Sequence, residues 1–255
     1  MRKVGVVIPT IFDRPNYLPD SILSARKAGD AHILLVAPDN PEMIATYSQL
    51  VDECQREKLH CNLSAKINQA IRQLPEDCEF ITWLGDDDLL TPESLRRAVS
   101  ALSQNPQVAV VFGSCDYIDA QGKKIGGNPS GNWAKHLMFY GPFLIPQPGS
   151  VWRRSAFESI GGLDERFQLA FDHDMFLRLT KYSGAMFINS TQAQFRWHAG
   201  SLSVSRRWQS VMEASRARRK HYKNFMLPLM LIWEPIVIIA TKLAGDFVSW
   251  RTLKN

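Results

Sequence analysis

Cysteine is scarce in this sequence: Cys54, Cys61, Cys78 and Cys115 are the only four in 255 residues, with no C-x-x-C pair and no structural-zinc spacing. That excludes a disulfide scaffold or a zinc module and fits a reducing compartment such as the cytosol. Internal repeats and low-complexity tracts are also missing, so neither a solenoid nor a disordered linker is expected. The apolar run at residues 4–8 is too short for a signal peptide and reads as a buried strand. No glycine-rich phosphate loop follows it; Pro9-Thr10-Ile11-Phe12 stands there instead. That argues against a nucleotidyltransferase joining a sugar phosphate to a nucleotide. Net charge is only +5, and no basic stretch interleaved with aromatics points to nucleic acid.

What is present is an alternation. Short β-branched runs at 4–8, 33–36, 80–84 and 108–113 are separated by helical patterns at 17–28, 42–58 and 65–74. This is the signature of βαβ units around a parallel sheet. Another helix is expected from Thr91-Pro92-Glu93, with Pro92 at its first position and Glu93 at its positive end, until Asn105-Pro106 stops it. The texture then changes. Residues 117–125 read as a hairpin, 126–149 as a long Gly- and Pro-rich loop, and 155–160 as a helix ending in a Gly161-Gly162 turn. A helix over 173–182 and strands at 186–188 and 195–197 close the pattern.

The strongest chemical signal is Trp83-Leu84-Gly85-Asp86-Asp87-Asp88, three carboxylates between a buried strand and a helix start. In an open parallel sheet that is the carboxyl edge, where ligands bind. Adjacent anions repel unless a cation shares them, and oxygen ligands suit Mg2+ or Mn2+ completed by water and phosphate.

Around this loop the order "VVIPT…R…YL…SI" at 6–22, "VAPD" at 36–39, "KINQAI" at 66–71, "FITWLGDDDLLTPESL" at 80–95 and "RRSAFESIGGLDERFQLAFDHDMFLRL" at 153–179 resembles the family 2 glycosyltransferases of the GT-A fold. The resemblance implies an α/β GT-A fold with a nucleotide-sugar-binding half over 1–114, an acceptor half over 115–206 and a C-terminal helical tail over 207–255. It places Thr10, Asp39, Lys66 and Asp86 at the nucleotide, and Asp87, with Asp88 and His198, at the metal. The commonest family motif is D-x-D-D; here Gly85 takes the first position, and Pro38 replaces an acidic neighbour of Asp39.

Asp172, in Phe171-Asp172-His173-Asp174, matches the family's catalytic base. An attacking hydroxyl must lose its proton, and a carboxylate held at a helix start can take it. A lone aspartate there is more often a helix cap. His173 is a rival base, but the helix turns it away from the side of Asp172; Arg178 suits an i, i+4 partner for Asp174. Residues 147–150 and Trp152 are expected at the acceptor cleft, although Trp133 and Trp152 suit a core equally well.

The implied reaction is transfer of a sugar from a nucleotide-diphosphate donor to a saccharide or lipid-linked saccharide acceptor, with inversion, in cell-surface polysaccharide or glycolipid synthesis. A non-catalytic sugar-nucleotide-binding protein is the other reading. The tail is basic from Arg206 to Lys223 and apolar from Phe225 to Ala240, interrupted by Pro228, Glu234 and Pro235. That pattern suits an interfacial anchor at the inner membrane face, or a helix packed on the domain or on a second subunit, better than a clean membrane span.

Overall fold

The computed structural model describes residues 3–57, 61–128, 130–198, 200, 205–223 and 226–253. Lys58 and Phe225, assigned above to a helix and to the tail, lie outside the described residues. β1 (Val4–Pro9), β2 (Ala31–Ala37) and β4 (Phe80–Trp83) are nearly continuous buried runs, as parallel strands covered on both faces require. β1 lies between the other two, with Val6 opposite Ile33 on one side and Thr82 on the other. Alternate side chains feed two cores. Val6, Ile8, Ile33 and Leu35 share one with α1 (Leu18–Ala28) and α4 (Ser94–Gln104). Val7, Leu34 and Val36 share the other with α3 (Leu63–Gln73).

The second half extends the same sheet. β6 (Val110–Ile118) pairs with β7 (Lys124–Asn128) as the expected hairpin, and with β8 (Val151–Arg153) and β9 (Ala185–Arg196). With β3 (Glu53–Arg56) and β5 (Leu89–Leu90), the order is β3-β2-β1-β4-β8-β6-β9-β5, with β7 on β6. α5 (Ala134–Leu137), α6 (Arg154–Ser159) and α7 (Phe171–Ser183) complete this half. Gly161 and Gly162 both have positive φ, 79° and 72°, which is why the turn after α6 carries glycine.

Three expectations need correction. The helix expected over 42–58 stops early: α2 is Pro41–Tyr47, and Glu53–Arg56 instead covers the open edge of β2, whose backbone groups need partners. Pro92 is not the first residue of α4; Glu93 takes a left-handed φ of 64° and the helix begins at Ser94. The strands expected at 186–188 and 195–197 are one strand of 12 residues. The polar Ser190, Thr191 and Gln192 hid its middle, where bulges interrupt the pairing with β6. Gly113 is required there, because a Cβ would collide with the Gln192 side chain.

The tail forms two different helices. α8 (Arg207–Arg219) is partly core: Ala217 joins the α3-side cluster and Val211 is buried. α9 (Leu227–Leu253) lies outside, with Pro235 within it. It is held to α8 by a buried bidentate pair, Arg218 Nε and Nη2 donating to Glu234 at 2.8 and 2.7 Å. The charge that interrupts the apolar run is therefore neutralised internally.

Candidate active site

β1 and β4 end side by side, so Thr10 and the acidic loop emerge at one point on the carboxyl edge. The Thr10 N–H donates to Val36 O at 2.9 Å, and its hydroxyl donates to Asp86 Oδ2 at 2.7 Å. Ser21 on α1 ties the loop down through Gly85 O at 2.9 Å. Gly85 has a local cause: a Cβ there would lie 2.9 Å from Asp87 Oδ1 and 3.0 Å from Asp88 Oδ2. The departure from the commoner acidic motif makes room for the two carboxylates that follow.

All three carboxylates are buried, and each is held differently. Asp86 takes Thr10 and Arg14 Nη1, the latter at 2.8 Å. Asp87 Oδ2 meets His198 Nε2 at 2.8 Å and Arg14 Nη1 at 3.0 Å. Asp88 Oδ1 accepts the Arg196 N–H at 3.0 Å, tying the loop to the end of β9. Burial raises the pKa of Asp86, against the opposing pull of Thr10 and Arg14. Burial, then the charge of Asp87, pushes Asp88 well up. Burial works against the Arg14 charge, but Asp87 and Asp86 outweigh it and raise its pKa. Arg14 also donates to Gly200 O at 2.9 Å, closing a ring from β1 through the acidic loop to the segment after β9.

These groups face a cleft of about 370 Å³ lined also by Glu57, Lys66, Gln168, Leu169 and Phe171. Lys66 points into it from α3, paired with Glu57 at 2.6 Å. Asp39 stands apart, exposed and 3.3 Å from Arg56, and is not among the lining residues. Among the described residues no three His, Cys, Asp or Glu side chains converge to hold an ion by themselves.

Asp172 occupies the first turn of α7, directly after the lining residue Phe171, and is half-buried. Ala170 takes the cap position, so Asp172 is not the cap. Its Oδ1 accepts the His173 N–H at 2.7 Å, and burial raises its pKa to about 6. His173 is indeed turned away. It is buried, stacked on Phe143 at 4.6 Å and bonded through Nε2 to Met138 O at 2.9 Å; burial lowers its pKa to about 3. A histidine so neutral and enclosed cannot serve as the base. Asp174 pairs with Arg178 at 2.7 Å, as its spacing predicts, and with Lys220 at 2.7 Å. Trp152 is fully buried against Trp83 and Phe157, which makes it core; Trp133 is about half exposed. Ser150 turns back on Pro146 O, and Gln147 donates to Trp83 O at 2.8 Å, so residues 147–150 brace the strand rather than line the cleft.

Two site residues escaped the sequence reading. Arg14 stood within the first matching motif without a role, and Arg196 holds the loop by main-chain and side-chain bonds no spacing rule could reveal.

A sheet switching direction beside an acidic loop, with a carboxyl at a helix start just behind the cleft wall, is an arrangement of the GT-A fold. The chain belongs to the family described as Glycosyltransferase like family 2, whose model matches residues 6–225. It is 27% identical over 143 residues to the O-antigen biosynthesis protein RfbC of Myxococcus xanthus; the match covers 54% of this chain but 11% of that protein. Among solved structures it is similar to residues 1–349 of TarS from S. aureus, with a TM-score of 0.59, 12% identity, and coverage of 84% of this chain and 65% of that one. The TarS complex with UDP-GlcNAc matches at a TM-score of 0.60 and 12% identity, over 84% of this chain and 66% of that one. At that identity the likeness is one of fold.

Proposed function

We propose that this glycosyltransferase moves a sugar from a nucleoside diphosphate donor onto a saccharide hydroxyl with inversion, in the synthesis of a cell-surface polysaccharide. The observation that carries the reading is the pairing of Thr10, Arg14 and the acidic loop on one wall with the half-buried Asp172 behind the other. The O-antigen and UDP-GlcNAc descriptions of its relatives support the substrate class.

The donor set fits a divalent cation in part. Asp87 and His198 meet at 2.8 Å and together offer one carboxylate and one imidazole. A hard ion held by so few protein ligands completes its shell with water and substrate phosphate. When bound, Mg2+ or Mn2+ would offset the charge developing on the leaving diphosphate. The chain's own residues do the rest. Thr10 fixes Asp86, Arg14 joins Asp86 to Asp87, and Lys66, paired with Glu57, lines the same cleft. Asp172, with a pKa close to neutral, takes the proton of the acceptor hydroxyl as it attacks. Asp87→Ala is expected to remove Mn2+-dependent binding of UDP in titration calorimetry without unfolding the protein. Unchanged affinity would refute the donor assignment, and retained anomeric configuration in the product would refute single displacement.

We infer that the acceptor lies at a membrane surface. Leu229, Ile232, Ile236, Ile239, Leu243, Phe247 and Trp250 form an exposed apolar stripe along α9. From Leu229 to Trp250 it runs roughly 30 Å at the helical rise. Residues Pro228–Phe247 are long and apolar enough to cross a membrane by length and composition. The opposite side is pinned to α8 through Glu234, which suits a helix lying in the lipid interface rather than one spanning it. Exposed Arg219 and Lys223, on the same tail, are available to anionic headgroups. The four free thiols fit the cytoplasmic face.

A further inference from the structure

Three successive backbone N–H groups just ahead of α7 converge on one side-chain oxygen. Gln168, Leu169 and Ala170 donate to Glu213 Oε2 at 3.0, 2.8 and 3.1 Å. Such a run of N–H groups is an anion-binding nest, and here the anion belongs to α8. α7 has no side-chain cap of its own, so Glu213 also places negative charge at its positive end. The same helix grips the segment elsewhere. Arg206 and Gln209 donate to Gln168 Oε1 at 3.2 and 3.3 Å. Lys220 bridges Asp164 and Asp174 at 2.7 Å each, and both Arg216 and Lys220 sit over the Phe167 ring. Gln168 and Leu169 line the cleft, and Asp172 follows within three residues.

We propose that Glu213 is a positioning residue of the active site: from α8 it fixes the backbone run 168–170 that carries Asp172 to the cleft. The first helix of the tail is then part of the acceptor-side machinery. This rests on the reading of Asp172 as the base, but its test does not need turnover. Hydrogen bonds to a charged acceptor are among the stronger ones, so the nest should be rigid while Glu213 is present. Glu213 is also the charged group facing Asp172 from α8, and its charge adds to the burial that raises the Asp172 pKa. On α7 itself Asp174 is turned to Arg178 and Lys220, and across the cleft Lys66 and Glu57 neutralise each other.

Two variants of the full chain separate the contributions. Glu213→Gln keeps an acceptor oxygen and removes the charge; Glu213→Ala removes both. In Glu213→Gln the titration of Asp172, followed by its side-chain carboxyl carbon signal and assigned by its loss in Asp172→Asn, is expected to move to lower pH than in the parent. In Glu213→Ala, amide exchange of residues 168–170 is expected to accelerate by about 10-fold or more, the sheet remaining protected. UDP affinity should be unchanged in both. An unmoved Asp172 titration in the glutamine variant, or unaltered exchange at 168–170 in the alanine variant, would overturn the proposal. Both readings are independent of catalysis. Full transfer by Asp172→Asn would instead overturn the assignment of the base and leave the role of Glu213 in the nest intact.

Discussion

Function and stability pull in opposite directions at Asp172, and one substitution exposes both. Burial raises its pKa to about 6, against about 3.9 for an exposed aspartate. A carboxyl whose folded pKa lies above its unfolded value binds protons more tightly in the fold. The fold therefore loses stability as pH rises from about 4 to about 6, and the loss is complete above that. A shift of about two units corresponds to at most about 3 kcal/mol, and for a half-buried group about 1–3 kcal/mol is reasonable. Asp172→Asn removes the ionisation, and its amide oxygen can still accept the His173 N–H. The variant is expected to be more stable than the parent at pH 7.5 by that amount, or several degrees in Tm. The advantage should shrink below pH 6 and vanish below about pH 4. Transfer should fall by about 100-fold or more with donor affinity kept, because only proton abstraction is lost. Denaturant unfolding of both proteins from pH 4 to 8, beside release of nucleoside diphosphate from the donor, measures both effects. Because Asp164 and Asp174 titrate identically in the two proteins, they cancel in the difference. A variant less stable at pH 7.5, or a difference independent of pH, would show that Asp172 is not a strained, desolvated base.

Arg14→Met should cost about 1–3 kcal/mol by leaving Asp86 and Asp87 without their shared cation, and Mn2+ should restore part of it. Thermal unfolding with and without MnCl2 checks this; a variant indifferent to Mn2+ counts against an ion at Asp87. Arg218→Met should cost about 3–5 kcal/mol, since it strands the fully buried Glu234, and the added change Glu234→Leu should recover most of it in denaturant unfolding. Co-sedimentation with vesicles containing anionic lipid should capture the full chain, more weakly at high salt, and should fail for Ile232→Ser/Ile236→Ser/Ile239→Ser. If the parent stays in solution and sediments as a dimer that the triple variant breaks, α9 meets a second copy instead.

The sequence alone was enough for the βαβ start of the chain, because buried parallel strands are continuous apolar runs and helices repeat at a different period. It also isolated Asp86, Asp87 and Asp88, since three adjacent carboxylates after such a run have few structural uses. Asp172 and His198 needed the family resemblance, being single residues with common structural roles. What sequence reading missed has one physical cause: contacts between residues far apart in the chain leave no local pattern. Edge pairing drew Glu53–Arg56 out of a helical pattern and into β3. Bulge-tolerant pairing with β6 kept the polar middle of β9 in the sheet. Arg14 becomes a site residue only because β1 and β4 end together, 72 positions apart in sequence from its partner Asp86. The tail read as a basic stretch followed by an apolar one, yet folding divided it by its partners. Arg218 and Glu234 neutralise each other in the interior, Glu213 turns inward to the backbone ahead of α7, and the apolar stripe of α9 is left facing out.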